Sequence, residues 1–454
     1  MTWPKLAAVF AVTLSCAQLD TFQATAEEAV FLFPGRIGIR IGAHTSFARF
    51  KEILTARHAT CSTGGDAVRN RDKPLEIGAG TRAMIADVMA CIPGLEVPSD
   101  SPAHRGAITP ALWRAIAPDL PAPSVRDRID ALTLSFEATD FSDPPVWNFC
   151  QDSPGPAAQR PAAILAGRAC YNATDPCSML TWGPRGATAG QGAEIQWIVW
   201  KLSKQAPELL ASAFGGEFAN AERFARLKRP AATGCDGSSA LEHFMCAAWI
   251  DPTRRMAWEA GLLALGRSDV ARRIYQEIYA AQEFDGYKIA EYFALWRRAG
   301  IGVSEVDYAY FFDRATHIGS PPAAGSAEFA RFETCLTSEK LARSRNGAAR
   351  RCLSLAHPHP HQPVDRLGRD VSYYRAAFLD AALSEREVRT WDRHIPLDAV
   401  VNFGLSDARE IKEAAVLAQP LAPGDRPPEM LTTLTASEQA CPQRIRNPLR
   451  AVPR

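Results

Sequence analysis

Between residues 239 and 318 the chain reads as one helix after another, and a run of that kind leaves little freedom of fold class. Apolar side chains recur at helical spacing over 239–249, 253–265, 268–283, 287–299 and 304–318, with Gly266, Gly286 and Gly300 as punctuation. A further helix is expected from Ser124 to about Asp140, where Ser124 and Asp127 make a capping-box-like pair and Val125, Ile129, Leu132 and Phe136 share a face. Glu194 to Leu202 reads as another. The interruption is Thr181-Trp182-Gly183-Pro184-Arg185-Gly186-Ala187-Thr188-Ala189-Gly190-Gln191-Gly192, too irregular for a helix and suited to a tight hairpin. The expected fold is therefore predominantly α, of the α+β kind: a helical body with one small β-hairpin at a cleft, and helical extensions at both ends.

Composition narrows the partners. The 454 residues are 47 % hydrophobic and 22 % charged, which excludes disorder. Fifty-one basic and fifty acidic side chains leave a net charge of +1, so no overall field gathers phosphates, and nucleic acid is not an expected partner. Residues 1–26 carry Lys5, an apolar run from Leu6 to Leu14, and Ala24-Thr25-Ala26, the order of a secretory signal cleaved after Ala26. The apolar run is far shorter than the ~20 residues of a spanning helix, and no later segment is long and apolar enough, so no membrane span is expected. Leu14-Ser15-Cys16 fits a lipoprotein site less well, because Thr13 stands where leucine is usual. The expected location is the periplasm or outside the cell.

Of the 11 cysteines, Cys16 leaves with the signal, and the even remainder in an exported chain reads as disulfides. Short separations favour Cys61–Cys91, Cys235–Cys246 and Cys335–Cys352, while Cys150, Cys170, Cys177 and Cys441 share two bridges of open pairing. No Cys-x2-Cys pair supports zinc, and His357-Pro358-His359-Pro360-His361 reads better as an extended solvated loop than as a metal tract. No metal and no cofactor is expected.

The organisation expected behind the signal is a small helical module over 27–122, a catalytic core over 123–322 and a helical and loop extension over 323–454. Gly106-Ala107-Ile108-Thr109-Pro110-Ala111-Leu112-Trp113 is similar to the last turn and helix of bacterial peptidoglycan-binding domains. The same residues also read as a Thr109 N-cap with Pro110 at the first helical position and Leu112, Trp113 and Ile116 buried.

No Gly-x-Ser-x-Gly, His-Glu-x-x-His or phosphate-loop signature occurs. Glu137 is the last acid of the helix that starts at Ser124, where the dipole and the neighbouring Leu134 and Phe136 disfavour its charged form. A carboxyl that keeps its proton suits the general acid of glycoside cleavage. Val306, Tyr310, Asp313 and His317 share a helical stripe, on which Asp313 needs a partner, either Arg185 or His317 within the helix.

Three stretches resemble the lysozyme-like glycoside hydrolase superfamily over about residues 123–322. Gly186-x-Thr188-x-Gly190-x-Gly192 is similar to the hairpin of phage-type lysozymes, and Gly183-Pro184-Arg185-Gly186-Ala187-Thr188 to the loop of bacterial chitosanases. Val306 to Gly319 resembles a helix end found late in that core. The resemblance implies that Glu137 is the acid and that Thr188 orients water. Arg185 and Gly190 of the loop, with Trp147 and Trp182 flanking the cleft, would bind substrate, and Asp313 and His317 would give structural support. Gly183 stands where the chitosanase loop has its second carboxylate, so Asp140, Asp143, Asp175 or Glu194 could replace it, or a single acid suffices, as in lytic transglycosylases. The expected function is an exported glycosidase acting on an amino-sugar polymer, peptidoglycan before chitosan. The alternatives are a chitosanase-like hydrolase, a non-catalytic envelope protein that binds glycan or serves as a scaffold on a lysozyme-like fold, and an unrelated helical scaffold.

Overall fold

A computed structural model describes residues 31, 39–40, 45–61, 72, 76–92, 101–136, 141–147, 178–190, 192–230, 239–338, 345–357, 403–412, 420–428 and 431–439. Helices dominate them. The N-terminal part holds α1 (Thr45–Cys61), α2 (Ala79–Cys91) and α3 (Pro110–Ile116), with a two-stranded antiparallel pair of β1 (Ile39–Arg40) and β2 (Glu76–Ile77). Thr109 caps α3, its hydroxyl accepting from the Leu112 amide with Pro110 in the first turn, and Leu112, Trp113 and Ile116 are buried. Helix α4 (Val125–Phe136) begins with the expected box: Ser124 N donates to Asp127 at 2.7 Å, and Asp127 N to the Ser124 hydroxyl at 3.1 Å.

The expected hairpin is β4 (Ser178–Trp182) and β5 (Ala187–Gly190), paired Thr181 to Thr188 and Trp182 to Ala187 around the Gly183–Gly186 turn. A third strand, β3 (Val146–Trp147), joins the other edge of β4. Strands of two residues carry no periodic signal, which is why β1, β2 and β3 escape the sequence.

Beyond the sheet lie α5 (Glu194–Gln205), α6 (Pro207–Phe214), α7 (Phe218–Phe224), α8 (Ala240–Ile250), α9 (Pro252–Gly266), α10 (Asp269–Ala280), α11 (Tyr287–Arg298) and α12 (Glu305–His317). Most match the expected run within a residue or two. Two differences stand out. The short helices α6 and α7 were not foreseen, and the helix expected over 268–283 ends at Ala280, giving way to a π-turn at Gln282–Gly286 with Phe284 at φ −119°, ψ −111°. Helices α13 (Ala327–Ser338) and α14 (Arg345–Ala356) follow, and the short α15 (Ala436–Gln439) closes the described chain.

The buried side chains form two clusters. One gathers β3–β5 and α5–α10, including Trp182, Ile198, Phe224, Trp258 and Tyr275. The other joins Phe47, Trp113 and Leu132 to Trp296, Phe311, Leu353 and Phe403, and so draws on all three segments expected behind the signal. At its centre, α12 is buried from Ser304 to Ala315 on every face, not along one stripe. Its charged Asp307 is met by Arg350 and Asn346.

Cys61–Cys91 ties α1 to α2, and Cys335–Cys352 ties α13 to α14, both as expected. Cys246 is also disulfide-bonded, while Cys235, Cys150, Cys170, Cys177 and Cys441 lie outside the described residues, as do residues 1–26. No helix among the described residues is long and apolar enough to cross a membrane.

Candidate functional site

Along β4 and β5 every side chain except Thr181 and Thr188 is buried, and the register sets these two opposite each other on the open face of the hairpin. Thr188 is bound to the helix that follows. Its amide and hydroxyl both donate to Glu194 Oε2, at 3.0 and 2.8 Å. Glu194 is the first residue of α5, which an unusual turn leads into. Ala193 is buried in the left-handed region at φ 62°, the one such non-glycine among the described residues. A Cβ at Gly192 would stand 2.5 Å from both Glu194 carboxylate oxygens and 2.7 Å from the Thr188 hydroxyl, so only glycine leaves room for the carboxyl to fold back on the hairpin.

Opposing influences act on this carboxyl. Its place at a helix N-terminus and the Thr188 hydrogen bonds favour the anion. Burial outweighs them and, with the nearby Asp285 charge, raises the Glu194 pKa above its ordinary value. The charge of Glu194 is felt in turn by Arg229 and Lys288.

Arg185 occupies the layer beneath. Its guanidinium pairs with Asp130 of α4, lies 3.6 Å from Asp285 of the π-turn, and rests 4.4 Å from the centre of the Phe312 ring. Its amide donates to the Tyr275 hydroxyl oxygen at 3.0 Å, and Tyr279 donates to its carbonyl at 3.3 Å. Burial drives both tyrosine pKa values up, so these phenols serve as neutral hydrogen-bonding groups. Asp285 also accepts from Lys288 at 2.9 Å and from the Thr316 hydroxyl at 3.2 Å.

No family model, characterised protein or solved structure matches the chain.

Glu137 lies just past α4, outside the described residues, as do Asp140 and Asp175. Thr188 is on the open hairpin face. Arg185 is buried and engaged with Asp130 and Asp285. Gly190 is buried at the Ser178 register position. The Trp147 and Trp182 rings, expected to flank the cleft, are both buried in the core. Trp147 packs on Trp249 and donates to Glu259 at 2.9 Å, and Trp182 packs between Phe141 and Tyr275. Asp313 is fully buried in α12, whereas the His317 side chain lies outside the described residues.

An acidic side chain at Gly183 would not fit this backbone. It sits at φ +78°, and a Cβ there would come within 2.8 Å of the Tyr275 ring. Among the described residues no cluster of His, Cys, Asp or Glu is able to hold a metal ion, and His357 pairs instead with Glu328. Sequence reasoning named Glu194 only as one of four stand-ins and passed over Asp130, Asp285 and Lys288. The signal available for Glu194 was local: a Gly-Ala-Glu turn opening a helix directly after a hairpin.

Proposed function

We propose that the protein is an exported glycosidase of lysozyme-like kind that cleaves an amino-sugar polymer, peptidoglycan first, with Glu194 as the proton-donating carboxyl. The observation that carries this reading is the Glu194 carboxyl itself, held against the hairpin by Thr188 and kept protonated to higher pH by burial. A glycosidic oxygen needs a proton from such a group as its bond to carbon breaks. Glu137, the acid implied by the resemblance, is the alternative donor.

The test is release of soluble fragments from purified peptidoglycan, and separately from chitosan, by the protein and by Glu194→Gln and Glu137→Gln. The expected result is release from peptidoglycan, lost by about 10²–10⁴-fold in Glu194→Gln with the fold retained. Loss in Glu137→Gln alone moves the acid to the helix end. No release from either polymer overturns the glycosidase reading.

A second reading, a non-catalytic envelope scaffold, is favoured by a specific observation: Arg185, Trp147 and Trp182 are all consumed by packing and ion pairs. It expects both variants to keep the glycan binding of the parent protein.

A further inference from the structure

The C-terminal chain is held to the body in two different ways. Its last part, from Leu431 to α15, is anchored in depth. Leu431 makes a parallel backbone bridge, its amide donating to the Arg226 carbonyl at 2.6 Å and its carbonyl accepting from the Lys228 amide at 2.8 Å. Glu438 of α15 is buried and accepts from both terminal nitrogens of the Arg223 guanidinium, at 2.6 and 2.7 Å.

The arm before it, Pro420 to Arg426, has no such hold. Leu421 is its one buried side chain. Its other ties are polar and lie close to solvent. Glu283 of the π-turn accepts from the Leu421 amide at 3.1 Å and pairs with the half-exposed Arg426. Lys201 of α5 donates to Asp425 at 2.8 Å, and Trp200 to the Gly424 carbonyl at 3.1 Å. Lys201 also meets Glu277 of α10 at 3.1 Å, so it keeps a carboxylate when Asp425 leaves. Within the arm, the Asp425 amide donates to the Ala422 carbonyl at 2.8 Å, and Pro420 and Pro423 fix the backbone, which makes the arm a stiff unit.

Behind the arm is a cleft of about 460 Å³ against α4 and α10, lined across from it by Asp130, Gln276 and Ala280. The arm spans a hollow and does not fill it. Asp130 connects that hollow to the layer beneath the hairpin through its pair with Arg185.

We propose that Pro420 to Arg426 is a lid over this cleft, clamped by Glu283 and Lys201 and opening on the anchor at Leu431. A segment with one buried leucine and several solvent-facing polar ties opens at far lower cost than the body it covers. Its clamp is ionic, so salt loosens it by screening. Opening uncovers Asp130 to water and small solutes and leaves Leu431 and Glu438 in place. The inference goes beyond the glycosidase reading and holds or fails without it.

The test is hydrogen exchange of the whole protein at about 0.1 M and about 1 M sodium chloride, repeated at the lower salt on Glu283→Gln and Asp425→Asn. Carbodiimide-driven amidation of Asp130 is read alongside by mass spectrometry. The expected result is exchange at 421–426 about tenfold faster in high salt and in either variant, faster amidation of Asp130 in the variants, and no change at 431–439 or in α5. Unchanged exchange at 421–426 in salt and in both variants overturns the proposal. So does release of 431–439 together with the arm, or an Asp130 that reacts no faster in variants whose arm has opened. The salt series needs no substitution and decides the matter even where a variant fails to fold.

Discussion

Glu194 is held by Thr188 at the start of α5, and its neighbours make it testable by titration. Because burial raises its pKa in the folded state, the folded protein holds this proton more tightly than the unfolded chain does. Its contribution to stability is therefore full below the ordinary value of 4.5 and is lost as pH rises through the folded value. Glu194→Gln, which cannot ionise, is expected to melt above the parent protein at neutral pH and to converge with it near pH 4, as thermal unfolding across pH would record. Gly192→Ala should turn the carboxyl off Thr188, costing about 1–3 kcal/mol and bringing the Glu194 titration back toward its ordinary range, readable by NMR. Gly183→Asp is expected to cost at least about 1–3 kcal/mol in urea unfolding, because φ is positive there and Tyr275 fills the space.

At the level of elements, charged side chains decide how helices and loops are held together. Arg350 of α14 pairs with Asp307 of α12 and, at 2.8 Å, with Asp407 of the segment 403–412. Glu305 reaches Arg409 of the same segment, and Arg128 of α4 donates to the Phe403 and Gly404 carbonyls, both at 2.9 Å. Arg350→Met would leave two carboxylates without this cation, at a cost of about 3–5 kcal/mol, and should raise hydrogen exchange in 403–412 first. Most of the helices involved were legible from their spacing. None of these partners was, since a carboxylate 57 residues from its guanidinium leaves no local pattern.

Across the whole molecule, Arg185 connects the two hydrophobic clusters. It comes from the sheet of one cluster, bonds Tyr275 and Tyr279 there, and lies on Phe312 of the other. Arg185→Met is expected to remove this cation from Asp130 and Asp285 and to split a single calorimetric transition into two, which a scanning measurement would show directly. The Cys335–Cys352 bridge closes a 17-residue separation, so Cys335→Ser with Cys352→Ser should lower stability by about 3 kcal/mol.

The amino-acid sequence by itself determined most of the longer helices between 124 and 318, the caps at Ser124 and Thr109, the hairpin, and two disulfides at short separation, because each is written in spacing over a few turns of chain. Tertiary structure alone decided that Trp147 and Trp182 are core, that Arg185 joins Asp130 and Asp285, and that Gly183 has no room for an acid. It also set Glu194 against Thr188 behind a strained Ala193. These depend on which surfaces meet after folding. Burial and pairing between distant residues are properties of that meeting, so local periodicity carries no record of them.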